Sequence, residues 1–408
     1  MKLASALASI WLGFFLIVGE SSAQTGDRTI EEVKTESLLR VERGAYPLGG
    51  IDVQDAREAL GAVKSRDADD WAAAWSAVAA RYMEMADKAT DPVAASSAYR
   101  RAWRLYYMAQ WPAPTSAGKQ RASEQALEAY LKHVRNLDPP LQVIKIPFEG
   151  KEIVGYLRLP KNATGPVPLI LAINGLDSRK ETVADGYAQI LDRGVGFFAV
   201  DAPGTGQAPI KVSETAERMF SAVIDYLVQR PDIDKSRIIV AGVSFGGYWA
   251  TKLAITEKAR ILGSVAQSPA VHEYFSAQRQ YARQSNREYL FDYVPAAMYI
   301  YDNVNTLDAL AKRSPDMSLE KQGLLKRPTA PMLIVAGVKD TQVPHADIEL
   351  LMRTGDVPKE FWINPQGGHL GREPKGWTDP VILAKVIIPW ELRLLEQSGF
   401  KLRPAAVK

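Results

Sequence analysis

Hydrophobic positions change their spacing twice along the chain. From about residue 51 to 137, apolar side chains recur every three or four positions, as on one buried face of a helix. A last run of this kind spans about 117–134 and shares no clear repeat period with the others, which favours a helical cap over a repeat array. The first two runs contain Trp71, Trp75, Val78, Tyr82 and Met85, and then Tyr99, Trp103, Tyr106, Met108 and Trp111.

After Asp138-Pro139-Pro140 the pattern becomes an alternation of short apolar runs and helical segments. This alternation predicts an α/β unit with a mainly parallel sheet and helices on both faces. Strands are predicted at 141–147, 153–159, 168–174, 195–201, 237–243, 261–266, 331–336 and 360–363, and helices at 181–192, 214–229, 245–256 and 379–397.

The alternation stops between about 270 and 328, where aromatic residues crowd the chain. An insertion at this point of such a sheet lies over the carboxyl ends of the strands, so we interpret it as a lid. Most of its aromatic side chains are expected to pack lid helices, while Tyr274 and Phe275 are candidate substrate contacts in an apolar pocket.

A candidate nucleophile follows the predicted strand at 237–243. Residues 242–246 read Gly-Val-Ser-Phe-Gly, and helical spacing begins directly after them. A G-x-S-x-G sequence between strand and helix forms a sharp turn that exposes the serine hydroxyl, and the small flanking residues tolerate its strain. We therefore predict that Ser244 is a catalytic nucleophile.

A serine needs a base and an orienting acid, which in this strand–turn–helix context follow in the order Ser, Asp, His. His369 lies in a glycine-rich loop after the strand at 360–363, and Asp340 follows the strand at 331–336. We expect Asp340 to orient His369 and His369 to accept the Ser244 proton. The alternative role for Asp340 is a helix cap.

Donors for an oxyanion are predicted at two backbone positions. One is the N–H of Phe245, directly after the nucleophile, and the other is the N–H of Leu176, in the loop after the third strand. Gly175 permits the tight backbone there and is a further candidate substrate contact. The charged residues that follow, Asp177 and 179–181, are interpreted as a solvated helix start.

The remaining chemistry of the sequence is sparse. Three other histidines are weaker candidates for the base. His345 fits a surface helix start, His272 fits a solvated loop, and His133 fits a helix end. No histidine and carboxylate spacing indicates a metal. Gly204-x-Gly206 lacks the third glycine of a dinucleotide site, because Pro209 occupies its place. We predict neither a metal nor a cofactor.

The amino-terminal residues 1–23 resemble a secretory signal peptide. A positive start at Met1-Lys2 precedes an apolar stretch and the small residues Ser21 and Ala23. Cleavage after Ala23 and a periplasmic or secreted location are expected, with an uncleaved membrane anchor as the alternative. Residues 24–50 are polar and then turn-rich, and they are interpreted as a linker or loosely docked arm.

The composition of the chain limits the kinds of binding partner that we expect. The 408 residues carry a net charge of only +3, with basic residues scattered, so no nucleic-acid partner is expected. No cysteine is present, which rules out disulfides and lipid-modified cysteines. We expect a small-molecule substrate and no stable membrane association after signal cleavage. Homodimerisation through the aromatic surface of the helical cap is a further hypothesis.

With these residues in place, the chain resembles the α/β-hydrolase superfamily, and within it the branch with a helical amino-terminal cap. That branch includes the hydrolase of 2,6-dihydroxypseudooxynicotine, a carbon–carbon-bond hydrolase, and fungal hydrolases that shorten polyketides. The resemblance covers roughly residues 55 to 395. It rests on Leu137-Asp138-Pro139-Pro140, Ile146-Pro147-Phe148-Glu149-Gly150, Gly155-Tyr156-Leu157, Asn174-Gly175-Leu176-Asp177-Ser178 and the motif at 242–246.

The resemblance implies an eight-stranded α/β-hydrolase fold with the cap at 51–137, the catalytic domain at 138–408, and Ser244, Asp340 and His369 as the triad. Asn174 stands where relatives often have glycine. Some relatives use an additional lid carboxylate, for which Glu273 is a loosely aligned counterpart.

Three functions are consistent with these residues. The leading hypothesis is a serine hydrolase that cleaves an ester of a small to medium apolar or aromatic substrate through an acyl-enzyme on Ser244. The same triad acting on the carbon–carbon bond of a β-diketone-like substrate is the alternative. A non-catalytic binding protein is a remote third hypothesis, since it predicts a damaged site whereas all the required residue types are present.

Overall fold

The computed structural model describes residues 27–404, so the predicted signal peptide lies outside the described residues. The amino-terminal part consists of helices packed on one another. Their bounds are α1 Ile30–Glu42, α2 Val53–Ala62, α3 Ala68–Lys88, α4 Pro92–Gln110 and α5 Ala117–Val134.

The segment interpreted as a linker or loosely docked arm instead contains a regular helix, α1. Thr29 caps its first turn, and the Glu32 side chain accepts a hydrogen bond from the Thr29 backbone in return, which satisfies two otherwise unpaired N–H groups. Arg28 and Arg40 donate hydrogen bonds to backbone carbonyl oxygens between residues 287 and 290. The polar side chains that indicated a linker therefore cap α1 and fix it against the lid.

Helices α3, α4 and α5 build the core of the cap domain. Trp75 is completely buried at its centre, and Trp103 packs edge-on against Tyr130 at a centroid distance of 4.9 Å. Met85, predicted on the buried face of α3, is instead 59% exposed and Ala86 is buried. The buried face of α3 therefore continues from residue 82 to residue 86, a spacing of four, rather than to residue 85, a spacing of three. Both spacings keep residues on one face of a helix.

An eight-stranded sheet forms the second layer, in the spatial order β1-β2-β4-β3-β5-β6-β7-β8. β1 pairs with β2 and β2 with β4 in antiparallel fashion, and the other neighbouring pairs are parallel. The strands are β1 Gln142–Phe148, β2 Lys151–Arg158, β3 Val167–Ile173, β4 Gly196–Val200, β5 Ile233–Val243, β6 Gly263–Gln267, β7 Met332–Gly337 and β8 Glu360–Asn364.

This arrangement confirms the predicted α/β-hydrolase sheet and indicates where a site belongs. Strand β3 is buried along its whole length, with β4 on one side and β5 on the other. The strand order therefore reverses beside β3, and the loops that leave β3 and β5 diverge at their carboxyl ends. Ligands of open α/β sheets bind in the crevice that such a reversal creates.

Helices cover both faces of the sheet, and the lid connects β6 to β7. The covering helices are α6 Lys180–Tyr187, α7 Arg218–Gln229, α8 Phe245–Thr256, then, after the lid, α12 His345–Met352, α13 Asp379–Ile382 and α14 Ile388–Gln397, with a π-helical turn at Leu383–Ile387 between the last two. The lid helices are α9 Ala277–Ala282, α10 Tyr293–Tyr299 and α11 Leu307–Arg313, separated by short 3-10 turns. None of the helices within residues 27–404 combines the length and apolarity needed to cross a bilayer.

Replacing Gly242 with alanine should damage both stability and activity. A Cβ at this position would lie 2.0 Å from the Gly246 carbonyl oxygen, so the turn between β5 and α8 would have to open. We expect a loss of about 2–3 kcal/mol in the free energy of unfolding, seen as a lower Tm by calorimetry, together with a loss of turnover. Gly61→Ala in α2 is the matched control, because no atom lies within 4 Å of its added Cβ. An equal Tm for the two variants would contradict the proposed crowding.

Candidate active site

Ser244 occupies the turn between β5 and α8 in a strained backbone conformation. Its φ and ψ are 54° and −116°, a region that L-residues rarely adopt. The Gly247 N–H donates to the Ser244 carbonyl oxygen, and the Ser244 N–H donates to Gln267 on the neighbouring strand β6. These contacts hold the turn so that the half-buried hydroxyl of Ser244 faces the cavity described below.

The structure brings the three predicted residues together. Ser244 Oγ lies 2.8 Å from His369 Nε2, and His369 Nδ1 lies 2.9 Å from Asp340 Oδ2. The second oxygen of Asp340 accepts hydrogen bonds from the backbone N–H groups of Gln342 and Val343. Asp340 therefore orients His369 and closes its own turn. It is not the helix cap considered as the alternative, because α12 begins later, at His345, with Pro344 as its N-cap.

The electrostatics of the pair suit a general base. Burial alone would lower the pKa of His369, but the Asp340 carboxylate outweighs burial, and Glu288 adds to it, so the pKa lies above its ordinary value. Burial would raise the pKa of Asp340, but the His369 charge and the two backbone donors lower it instead. Asp340 is therefore ionised whenever His369 takes up a proton.

Both predicted oxyanion donors lie beside Ser244. Phe245 is the first residue of α8, where helix N–H groups have no intrahelical acceptor. Gly175 lies so close to the nucleophile that an added Cβ would be 3.2 Å from the Ser244 Cβ, and Leu176 follows it. Across residues 27–404 neither the Phe245 nor the Leu176 N–H has a hydrogen-bond acceptor. Two N–H groups without an acceptor therefore lie in the segments next to the serine, one of them at the positive end of α8.

Asn174, where the resemblance led us to expect glycine in many relatives, anchors this loop. Its side-chain oxygen accepts a hydrogen bond from the Ala202 N–H at 2.7 Å. Its amide nitrogen donates to the carbonyl oxygens of Gly175 and Ser178, and to Thr205 Oγ1. The substitution therefore fixes the loop between β3 and β4 rather than obstructing the donors.

A cavity of about 640 Å³ lies over Ser244 and His369, between the cap, the lid and the sheet. Gly175 and Tyr274 are among its lining residues, as predicted for substrate contacts. Phe275 is not: it is almost completely buried against Tyr248, at a centroid distance of 5.2 Å. The prediction that Phe275 contacts substrate is corrected, because the lid turns at this residue and directs its ring into the core.

One wall of the cavity is a column of three stacked rings. Trp111 of the cap stacks on Tyr289 of the lid at 5.1 Å between centroids, and Tyr289 stacks on Tyr293 at 4.6 Å. All three residues line the cavity. Cap and lid therefore share one continuous aromatic surface, which fixes the width of the cavity.

The lid carboxylate near the triad is Glu288, not Glu273. Through Oε1, Glu288 accepts a hydrogen bond from the backbone N–H of His369. Through Oε2, it accepts from the backbone N–H of Thr341 at 2.9 Å and from the Thr341 hydroxyl at 2.7 Å. Glu273 instead accepts from Ser276 and lies outside the residues that line the cavity. One lid side chain thus joins the loop of the base to the loop of the acid.

The charged residues after Leu176 are buried, which corrects their interpretation as a solvated helix start. Lys180 is 1% exposed and donates to Asp201 at 3.0 Å, while it also pairs with Glu181 at 2.9 Å. Tyr156 donates to Glu181 at 2.8 Å. Sequence alone gave no sign that Asp201 and Tyr156 would supply partners for these charges, because both come from other strands.

The other histidines lie away from the nucleophile. His272 contacts Ser318, His345 begins α12, and His133 contacts Ser96. Burial lowers the pKa of His133. Among residues 27–404 no three histidine or carboxylate side chains are grouped as a metal site requires.

Two residues at the site were missed by sequence reasoning. Ser268 donates to Asp340 at 3.0 Å and accepts from the Leu370 N–H at 2.9 Å, so it links the acid to the base loop. Its position directly after β6 is a signal that the strand-end rule could have used. Glu288 carries no such signal, because it lies in an irregular part of the lid.

This fold and this arrangement of serine, histidine and aspartate are those of an α/β hydrolase. The family model of FrsA-like esterases matches residues 53–362. The chain therefore belongs to the FrsA-like esterase family and is an enzyme of the hydrolase type. The predicted resemblance to the capped branch of the superfamily is confirmed.

Relatives agree with this assignment. The chain is 26% identical to esterase FrsA of Escherichia coli over 84% of its own length and 86% of that protein. It is 30% identical to hydrolyase poxO of Penicillium oxalicum over 52% of this chain. That match covers 55% of the relative, so the chain spans about half the length of this protein.

Two solved structures share the fold. The crystal structure of 2,6-dihydroxy-pseudo-oxynicotine hydrolase superposes with a TM-score of 0.70 at 21% identity, covering 90% of this chain and 97% of the other. AbyA5 superposes with a TM-score of 0.68 at 19% identity, covering 91% and 95%. Both likenesses include the helical cap, since they extend over nine-tenths of the chain.

Glu288→Gln should change the pH profile as well as the rate. Without the Glu288 charge the pKa of His369 falls, so the acidic limb of kcat/KM moves to lower pH. Turnover should fall roughly tenfold or more, because glutamine keeps only one accepting oxygen and therefore releases one of the two loops. The measurement is kcat/KM against pH. Glu273→Gln is the control and should keep the wild-type profile; an unchanged acidic limb in Glu288→Gln would contradict the electrostatic role.

Proposed function

We propose that this protein is a serine hydrolase that cleaves a carboxylic ester of a small to medium apolar or aromatic substrate. The observation that carries the proposal is the continuous hydrogen-bonded chain from Ser244 Oγ through His369 to Asp340, with its nucleophilic end open to the cavity. Membership of the FrsA-like esterase family supports it.

The first half of the reaction forms an acyl-enzyme. Ser244 Oγ attacks the ester carbonyl carbon while its proton passes to His369 Nε2. The carbonyl oxygen becomes an oxyanion, which the N–H groups of Phe245 and Leu176 bind. When the tetrahedral intermediate collapses, the C–O bond to the alcohol breaks and His369 gives its proton to the leaving oxygen.

The second half releases the acid. Water attacks the acyl-enzyme, its proton passes to His369 Nε2, and the oxyanion forms at the same two donors. Collapse breaks the bond to Ser244 Oγ, which recovers the proton from His369. The carboxylate product then leaves the cavity.

A carbon–carbon-bond hydrolase of a β-diketone-like substrate is the second candidate. Its leaving group is an enolate rather than an alkoxide, and His369 would protonate its carbon. Trp111 Nε1, a buried donor on the cavity wall, lacks a partner within residues 27–404 and would suit the enolate oxygen. Tyr289 OH, which lies next to the Asp177 carboxylate, is a second donor on the same wall. Both reactions use the same serine chemistry, so substrates must separate them.

Steady-state assays should decide between the two. We expect Ser244-dependent turnover of p-nitrophenyl esters with an optimum at one acyl length, and slower cleavage of a β-diketone. Ser244→Ala should lower kcat by a factor of about 10⁴ or more, whereas Ser236→Ala, at an exposed position, should leave it unchanged. Diketone cleavage without ester turnover would move the protein to the second candidate. Activity retained by folded Ser244→Ala would exclude both.

We further propose that the protein is exported to the periplasm or the medium, on the basis of the signal-like pattern in residues 1–23. In a bacterial host the protein should then be found outside the cytoplasm, with a mass that begins at Gln24. Cell fractionation followed by intact mass spectrometry checks both points. A cytoplasmic protein that retains Met1–Ala23, or a membrane-bound one, would contradict export with cleavage.

A further inference from the structure

Several polar atoms of the cavity wall are buried without a hydrogen-bond partner. In the described part of the chain these atoms belong to residues on different elements that all line one cavity. A buried polar atom left unpaired costs about 1–3 kcal/mol, so a set of them on one wall indicates a place where a ligand supplies the partners. The atoms are Asp177 Oδ2, Tyr289 OH, Trp111 Nε1 and Thr182 Oγ1.

Asp177 is the charged member of this set. Asp177 is only 8% exposed, and it directly follows Leu176, whose N–H is one of the two predicted oxyanion donors. Within residues 27–404 no lysine, arginine or histidine pairs with it at ion-pair distance. An ionised carboxylate accepts hydrogen bonds only, so Oδ2 needs a donor and not merely a contact.

The surroundings of Asp177 hold it in place. Tyr107 donates to the Asp177 carbonyl oxygen at 2.8 Å, and the Tyr46 hydroxyl lies 3.0 Å from that of Tyr107. Burial, then the Asp177 charge, and also a close approach of each hydroxyl to the Asp177 carboxylate raise the pKa of the Tyr46 and Tyr289 phenols. The two hydroxyls therefore lie next to the carboxylate, in a geometry that leaves Asp177 Oδ2 without a hydrogen bond. The carboxylate therefore lies among neutral hydroxyl groups, in a position set by the cap on one side and the oxyanion loop on the other.

We propose that Asp177 binds a hydrogen-bond-donating group of the substrate, a hydroxyl or an ammonium, beside the oxyanion loop. This inference rests on the proposed ester hydrolysis at Ser244, and it restricts the substrates of that reaction to esters that carry such a donor. The substrate is then not uniformly apolar: its body packs against Trp111, Tyr289 and Tyr293, and one donor reaches the carboxylate. The Tyr289 hydroxyl and the Trp111 N–H are the neighbouring groups that this donor-bearing part of the substrate meets.

Discrimination at such a site is expected to be large. A cavity built to pair with a substrate donor disfavours the analogue that lacks it, because the carboxylate is then left dehydrated and unpaired. An apolar wall without Asp177 would distinguish the same two substrates weakly. The ratio of kcat/KM between matched substrates therefore reports on Asp177 independently of the absolute rate.

The experiment compares matched esters on wild type, Asp177→Ala and Asp177→Asn. One set is the p-nitrophenyl esters of phenylacetic, 4-hydroxyphenylacetic and 4-(aminomethyl)phenylacetic acid. A second set places the same groups on the alcohol, as acetates of benzyl, 4-hydroxybenzyl and 4-(aminomethyl)benzyl alcohol. Asp185→Ala is the control, since the Asp185 carboxylate also lines the cavity but already pairs with Arg100 at 2.9 Å.

In at least one set, wild type should prefer a donor-bearing ester over its parent by about tenfold or more. Asp177→Ala should bring that ratio close to one, and Asp185→Ala should preserve it. Asp177→Asn separates the two donors: a hydroxyl preference should persist in part because the amide oxygen still accepts, whereas an ammonium preference should disappear with the charge.

Three results would overturn the inference. The first is efficient hydrolysis of the parent esters with no donor preference in either set, which leaves the proposed ester hydrolysis intact. The second is a preference that Asp177→Ala retains. The third is an equal loss of rate on parent and donor-bearing esters in Asp177→Ala, which assigns Asp177 to loop structure. Failure of the proposed function is distinct, because none of the esters would then be hydrolysed in a Ser244-dependent way.

Discussion

The left-handed backbone of Ser244 is the constraint around which the site is arranged. A residue with a φ of 54° between a strand and a helix forces the chain to reverse within one position. Gly242 and Gly246 approach so closely there that neither can carry a Cβ without a shift of backbone atoms. The strain is tolerated because β5 lies between β3 and β6 and is held by ladders on both sides.

From this turn outward, the site is assembled by loops that have no regular structure of their own. The loop of His369 contains Leu370 with a φ of 66° and is held at two adjacent backbone N–H groups, that of Leu370 by Ser268 after β6 and that of His369 by Glu288 of the lid. The lid is itself fixed by Arg28 and Arg40 through its carbonyl oxygens. A chain of polar contacts thus runs from α1 through the lid to the backbone N–H of His369, which gives the amino-terminal segment a part in positioning this histidine.

The cap contributes surface rather than chemistry to the cavity. Trp111 extends the aromatic column of the lid, and Tyr107 holds the oxyanion loop at Asp177. Removing water from this space strengthens every electrostatic contact around His369, since the effective dielectric constant falls. The same removal of water makes an unpaired group such as Asp177 Oδ2 costly, and this is why the polar atoms on the wall carry information about the substrate.

Sequence by itself determined the strands, most of the helices and a candidate nucleophile, because those depend on periodicity and on residues adjacent in the chain. Ser244, Asp340 and His369 could be assigned from strand ends and glycine turns, and the strand positions follow from apolar runs. Tertiary structure decided what depends on long-range partners: α1 as a docked helix, Glu288 rather than Glu273 beside the base, Phe275 in the core, and the burial of Lys180. From the sequence alone, a charged residue is expected to be solvated. Only the folded chain shows whether a distant group compensates its charge or whether, as for Asp177, the charge is left for a ligand to pair with.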